Sequence, residues 1–191
     1  MNPRSSRLLT FAALAVLLAA TRMHHFAVVP DASWAAFFLG GLALRGSTRW
    51  AFPALMALAV AVDWLVITRS GMSFWQHYCV SPAYWMLIPA YFAMWAGGMW
   101  LRGREAGFDG RGAGLLALAL PLSVITCHLL AQGSFYWIAV AEPTVAGWWK
   151  NYTDWLLPYM GSAALYVGLA VIGHGVMTQL RGVRDGHAAT H

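Results

Sequence analysis

The chain has 191 residues, 60% of them hydrophobic and 10% charged, with a formal net charge of +5. A water-soluble domain of this size needs more charge to cover its surface, so the charge-poor runs point to a polytopic membrane protein with a single domain. The basic residues stand singly between apolar runs, which fits topology signals rather than a nucleic-acid patch, and two cysteines exclude a disulfide scaffold.

The apolar pattern predicts six helices, taken in chain order over about residues 7–23, 32–44, 50–68, 82–101, 112–131 and 152–180. On the first, Ala12, Ala15 and Ala19 share one face. Ala15 and Ala19 form a small-xxx-small pair that permits close helix approach, within the bundle or against a partner. The same segment, preceded by "MNPRSSR" and ending in "LAAT", also has the form of a secretory signal peptide. Its removal would leave five helices in the same orientation. The second helix opens with "PDAS", a start signal in which Asp31 is the expected cap. The third contains Asp63 near its outer end, where a carboxylate is costly in lipid and needs a partner or a wet cavity. Between the last two helices, "QGSFYWIAVAEPTVAGWWKN" is broken and aromatic and reads as a cap or interfacial segment. The tail after Leu180 is polar and Gly-containing.

With a cytoplasmic N-terminus, nine arginines fall inside: Arg4, Arg7, Arg45, Arg49, Arg102, Arg104, Arg111, Arg181 and Arg184. Three basic residues fall outside, namely Arg22, Arg69 and Lys150. That bias predicts an even number of spans with both termini cytoplasmic. Polar and aromatic residues gather on the outer side, including eight of the eleven tryptophans. An aromatic belt should appear at both interfaces, so the excess reads as a basin for a large flat ligand, or as a thick belt with a packed cap.

"WQHYCVSPAYW", residues 75–85, lies at this outer side. Its Cys79 has three readings: a soft ligand to a transition metal or metal-containing cofactor, a disulfide partner of Cys127, or an inert buried thiol. His77 and Arg69 could favour the thiolate. His25 can pair with Asp31 or ligate a metal, and His128 can face the basin or bond a carbonyl. Trp75, Tyr84 and Trp85 are candidate walls. The sequence contains no HExxH, CxxC, phosphate-binding P-loop or serine nucleophile elbow.

The run "RMHHFAVVPDASWAAFFLGGL" (22–42) followed by "HYCVSPAYW" resembles the BtuM family. These are solitary cobalamin-specific proteins related to the S-components of energy-coupling factor (ECF) vitamin transporters. The resemblance implies an all-α bundle of six transmembrane helices in the cytoplasmic membrane that binds cobalamin from outside and mediates its uptake. It implies that Cys79 ligates the cobalt, that His25 and Asp31 shape the pocket, and that small residues such as Ala15 and Ala19 dock onto an ECF module of a coupling subunit and two ATPases. Displacement of the upper cobalt ligand, decyanation in the case of cyanocobalamin, follows from thiolate ligation. Three other readings stay open. One is a thiol-redox protein using Cys79 and Cys127. Another is a haem-binding subunit using two of His24, His25, His77 and His128. The last is an assembly subunit without a chromophore.

Overall fold

A computed structural model describes residues 2–23, 30–77, 80–105, 107 and 109–188, with side chains as far as residue 179. His24, His25, Tyr78 and Cys79 lie outside the described residues. The described chain is helical, with no strand among the described residues. Its helices are α1 (Pro3–Arg22), α2 (Ser33–Ala43), α3 (Thr48–Arg69), α4 (Leu87–Gly103), α5 (Gly110–His128), α6 (Ser134–Ala139) and α7 (Val145–Ala188). A π turn, Leu129–Gly133, carries α5 straight into α6. Among the described residues, four helical stretches are long and apolar enough to cross a membrane: Pro3–Arg22, Arg45–Arg69, Gly110–Ala139 and Val145–Gln179. The chain therefore has the build of a multi-pass membrane protein.

Local chemistry accounts for the boundaries. Asn2 caps α1, accepting from the Arg4 N–H, and Pro3 occupies the first turn, where a missing N–H costs nothing. Asp109 caps α5 by accepting from the Gly112 N–H at 2.8 Å. Pro82 forces Ser81 into an extended conformation, so the chain enters a 3-10 turn (Pro82–Met86) before α4 begins at Leu87. The fourth helix thus starts five residues later than its apolar pattern predicts. The aromatic segment 132–151 is more ordered than expected. Helix continues through Ala139, breaks over 140–144 around Pro143, and resumes at Val145. The predicted sixth helix therefore begins seven residues early.

The core sits where α2 lies along α4. α2 has only 11 residues, apolar on all sides, and Ser33 to Phe38 are all buried. Glycines permit the approach. A Cβ on Gly41 would strike the backbone oxygen of Trp95, and one on Gly98 would strike that of Phe38. Trp95, fully buried, donates its indole N–H to Thr48 Oγ1 at 3.0 Å, pinning the start of α3 to α4. Phe37 stacks on Tyr91 at 4.6 Å and meets Phe52 edge-on at 5.5 Å. These rings hold α2, α3 and α4 together and fix the two ends of the bundle.

Candidate functional site

One end of the bundle is organised by Arg22, the last residue of α1. Its guanidinium grips Asp63 of α3 with two bonds, Nε to Oδ1 at 2.6 Å and Nη2 to Oδ2 at 2.7 Å. Nη1 donates to Tyr91 OH at 2.9 Å, Ser33 Oγ at 3.0 Å and Asp31 Oδ2 at 3.3 Å. Tyr84 donates its hydroxyl to Asp63 Oδ2 at 2.7 Å. The three charged side chains are 10–19% exposed. Charges this sheltered persist only when paired and further hydrogen-bonded, as the bidentate geometry and the serine and tyrosine hydroxyls provide.

Asp31 has two tasks. Ala32 occupies the cap position of α2, yet Asp31 Oδ1 accepts from the Ser33 N–H at 2.9 Å and from Ser33 Oγ at 2.7 Å. The expected capping role is thus performed from one residue further out, while Oδ2 faces Arg22. Thr21 Oγ1 accepts from the Ala32 N–H at 3.1 Å, and Tyr166 donates to the Pro30 carbonyl at 2.7 Å. The start of α2 is consequently tied to α1 and α7.

Two clefts adjoin this cluster. One, of about 260 Å³, is lined by Val60, Phe74, Trp75, Ser81, Tyr84 and Trp85 among others. The second, of about 110 Å³, lies between α3 and α4 with Arg22, Tyr84, Trp85 and Tyr91 in its wall. Tyr84 and Trp85 are common to both. Trp75 and Trp85 are 76% and 63% exposed. Tyr84→Phe removes one donor to a charged acceptor. It is expected to destabilise the protein by about 1.5–3 kcal/mol, read as a lowered unfolding midpoint in detergent.

The chain matches no protein-family model, and no curated protein matches it significantly.

The remaining candidates lie elsewhere. His128 is fully buried; its Nε2 donates to the Tyr152 carbonyl at 2.8 Å, and its ring packs near Trp34, Tyr152 and Tyr159. Trp34 stacks on Tyr159 at 4.5 Å and 10°. These rings join α2, α5 and α7 in a closed aromatic seam rather than lining either cleft. Cys127 is a free, fully buried thiol. On α1, Ala15 and Ala19 are half-buried beside the core residues Leu14 and Leu18, while Ala12 is exposed. No group of three or more His, Cys, Asp or Glu able to hold a metal occurs among the described residues.

Sequence reasoning missed Arg22 as the centre of the cluster. The topology count treats every arginine as solvated, and so entered Arg22 as an exception to the charge bias. The usable signal was that Arg22 and Asp63 both stand in apolar helices at the same end of the bundle, where each must find an opposite charge.

Proposed function

We propose that the protein binds cobalamin at the end of the bundle carrying the Arg22 cluster and mediates its uptake across the cytoplasmic membrane. In this reading both termini are cytoplasmic and Cys79 is an axial ligand to the cobalt. The observation that carries the reading is that the two sequence stretches resembling the BtuM family meet in space. Arg22, Asp31 and Ser33 belong to the first stretch and Tyr84 to the second, and the carboxylate of Asp63 joins them. Val80 and Ser81, the residues that follow Cys79, line the larger cleft with Trp75 and Trp85.

The chemistry suits a corrin. Its broad apolar faces call for exposed rings, and its amide rim for hydroxyls and carboxylates. Both clefts fall below the ~300–1,000 Å³ typical of drug-sized ligands. A corrin would therefore lie across their shared rim of Tyr84 and Trp85, with Trp75 beside it in the larger cleft, rather than inside either one. The Cys79 thiol would release its proton to solvent, and the thiolate would donate an electron pair to cobalt(III). The cobalt–carbon bond to cyanide would break with both electrons leaving on cyanide, so the oxidation state of cobalt is unchanged. Docking of an ECF module against the α1 face that includes Ala15 and Ala19 belongs to the same reading.

The test is the absorption spectrum of cyanocobalamin bound to purified protein. Wild type is expected to shift the corrin bands away from those of free cyanocobalamin, and Cys79→Ala to leave them unshifted. Identical bound spectra for the two proteins would reject thiolate ligation, and absence of any bound corrin in both would reject cobalamin as the ligand.

A further inference from the structure

The end of the bundle opposite Arg22 carries a rim of arginines. Arg45 and Arg49 flank the turn from α2 into α3, Arg102 and Arg104 close α4, and Arg111 opens α5. Arg7 of α1 lies one turn before Phe11, whose ring is 5.0 Å from that of Trp50 near the start of α3. All six arginines are exposed, and none of them forms an ion pair among the described residues. Glu105 and Asp109 are nearby carboxylates, and two negative charges against six positive ones leave the rim with a clear positive excess.

Two of these guanidiniums pack against the end of α4. Arg45 lies in the space left by the missing side chain of Gly103, with Nη1 2.9 Å from where a Cβ would sit. Arg104 folds back so that its guanidinium is 4.9 Å from the ring centroid of Trp100. Trp100 and Trp50 are 39% and 41% exposed, and tryptophan is the residue type enriched between hydrocarbon and headgroups. Arg45 and Arg104 thus lie against the end of α4, the latter beside an exposed tryptophan. A planar guanidinium suits a phosphate diester.

We propose that this rim is a binding surface for anionic phospholipid headgroups, centred on Arg45 and Arg104. Charge decides the class of lipid. Unpaired arginines gain most from a phosphate with no cation of its own, so phosphatidylglycerol is favoured over phosphatidylcholine. This surface is independent of the cobalamin reading.

Native mass spectrometry of the full chain in detergent, with an equimolar mixture of the two lipids carrying identical acyl chains, tests the proposal. Wild type is expected to retain phosphatidylglycerol in preference. Arg104→Gln is expected to cut that preference roughly fivefold, and Arg45→Gln/Arg104→Gln about twentyfold. The double lysine variant at these positions keeps the charge and most of the preference, and Lys150→Gln, at the other end, leaves it unchanged. Inorganic phosphate at millimolar concentration is expected not to displace the lipid. Equal retention of both lipids by wild type, full preference in either glutamine variant, or displacement by inorganic phosphate would each overturn the assignment.

Discussion

Asp63→Ala is expected to cost about 3–5 kcal/mol of stability, the range seen when one partner of a buried ion pair is removed. The reason lies in what is left behind. Arg22, only 10% exposed, would lose both bonds of its bidentate grip and keep a charge that Asp31 meets only at 3.3 Å. Tyr84 would lose its acceptor at the same time. Thermal or denaturant unfolding in detergent reads the loss. Arg22→Leu combined with Asp63→Leu should recover part of it, because the charge then left, on Asp31, still accepts from the Ser33 N–H and hydroxyl. A double variant as unstable as the sum of its single changes would mean that the pair is not coupled as its geometry indicates.

Gly98→Ala is expected to be comparably severe, for a steric reason. The added Cβ would meet the Phe38 backbone oxygen and, at 2.7 Å, the Leu42 backbone nitrogen. Backbone cannot step aside as a side-chain tip can, so α2 and α4 must separate, with loss at the Trp95 and Phe37 contacts as well. Overpacking of a tight core costs typically ~1–3 kcal/mol and occasionally more, and here the site is a helix crossing. Gly46→Ala is the matched control, because its Cβ would meet nothing within 4 Å. The unfolding midpoints should separate clearly, with Gly46→Ala near wild type. Equal midpoints would mean that the α2–α4 approach is looser than the glycines imply.

Much of the helical framework was legible in the sequence because apolar runs without charge have few alternatives. Each of the six predicted segments coincides with a helix of the bundle, although among the described residues only four helical stretches are long and apolar enough to cross a membrane. The boundaries failed where aromatic and glycine residues were read as breakers. Gly133 lies within a continuous helical run because a π turn absorbs it, and Trp148 and Trp149 lie in the first turns of α7. Asp63 was recognised as needing a partner, but its partner was not, since periodicity says nothing about which helices face each other. Tyr91 was missed for a related reason: a tyrosine in an apolar helix looks like core until an arginine is found beside its hydroxyl. The outer aromatic residues read as one set separate into two. Trp75, Tyr84 and Trp85 line an open cleft, whereas Trp34 and Tyr152 belong to a closed seam around His128, which Tyr159 completes. Composition cannot distinguish a ring on the wall of a cleft from one packed in a seam.

The shortness of α2 limits its reach. Eleven residues rise only about 16 Å, whereas the hydrocarbon layer is about 30 Å thick. A helix of that length covers about half of the layer, so its two ends cannot both reach a lipid surface. Asp31 and Ser33 stand at one end, and Arg22 is bonded to both. The ionic cluster is therefore built on a helix too short to span, beside longer ones that can. With its charged side chains only 10–19% exposed, water is not a ready substitute for a missing partner, so the bundle must satisfy these groups from its own side chains.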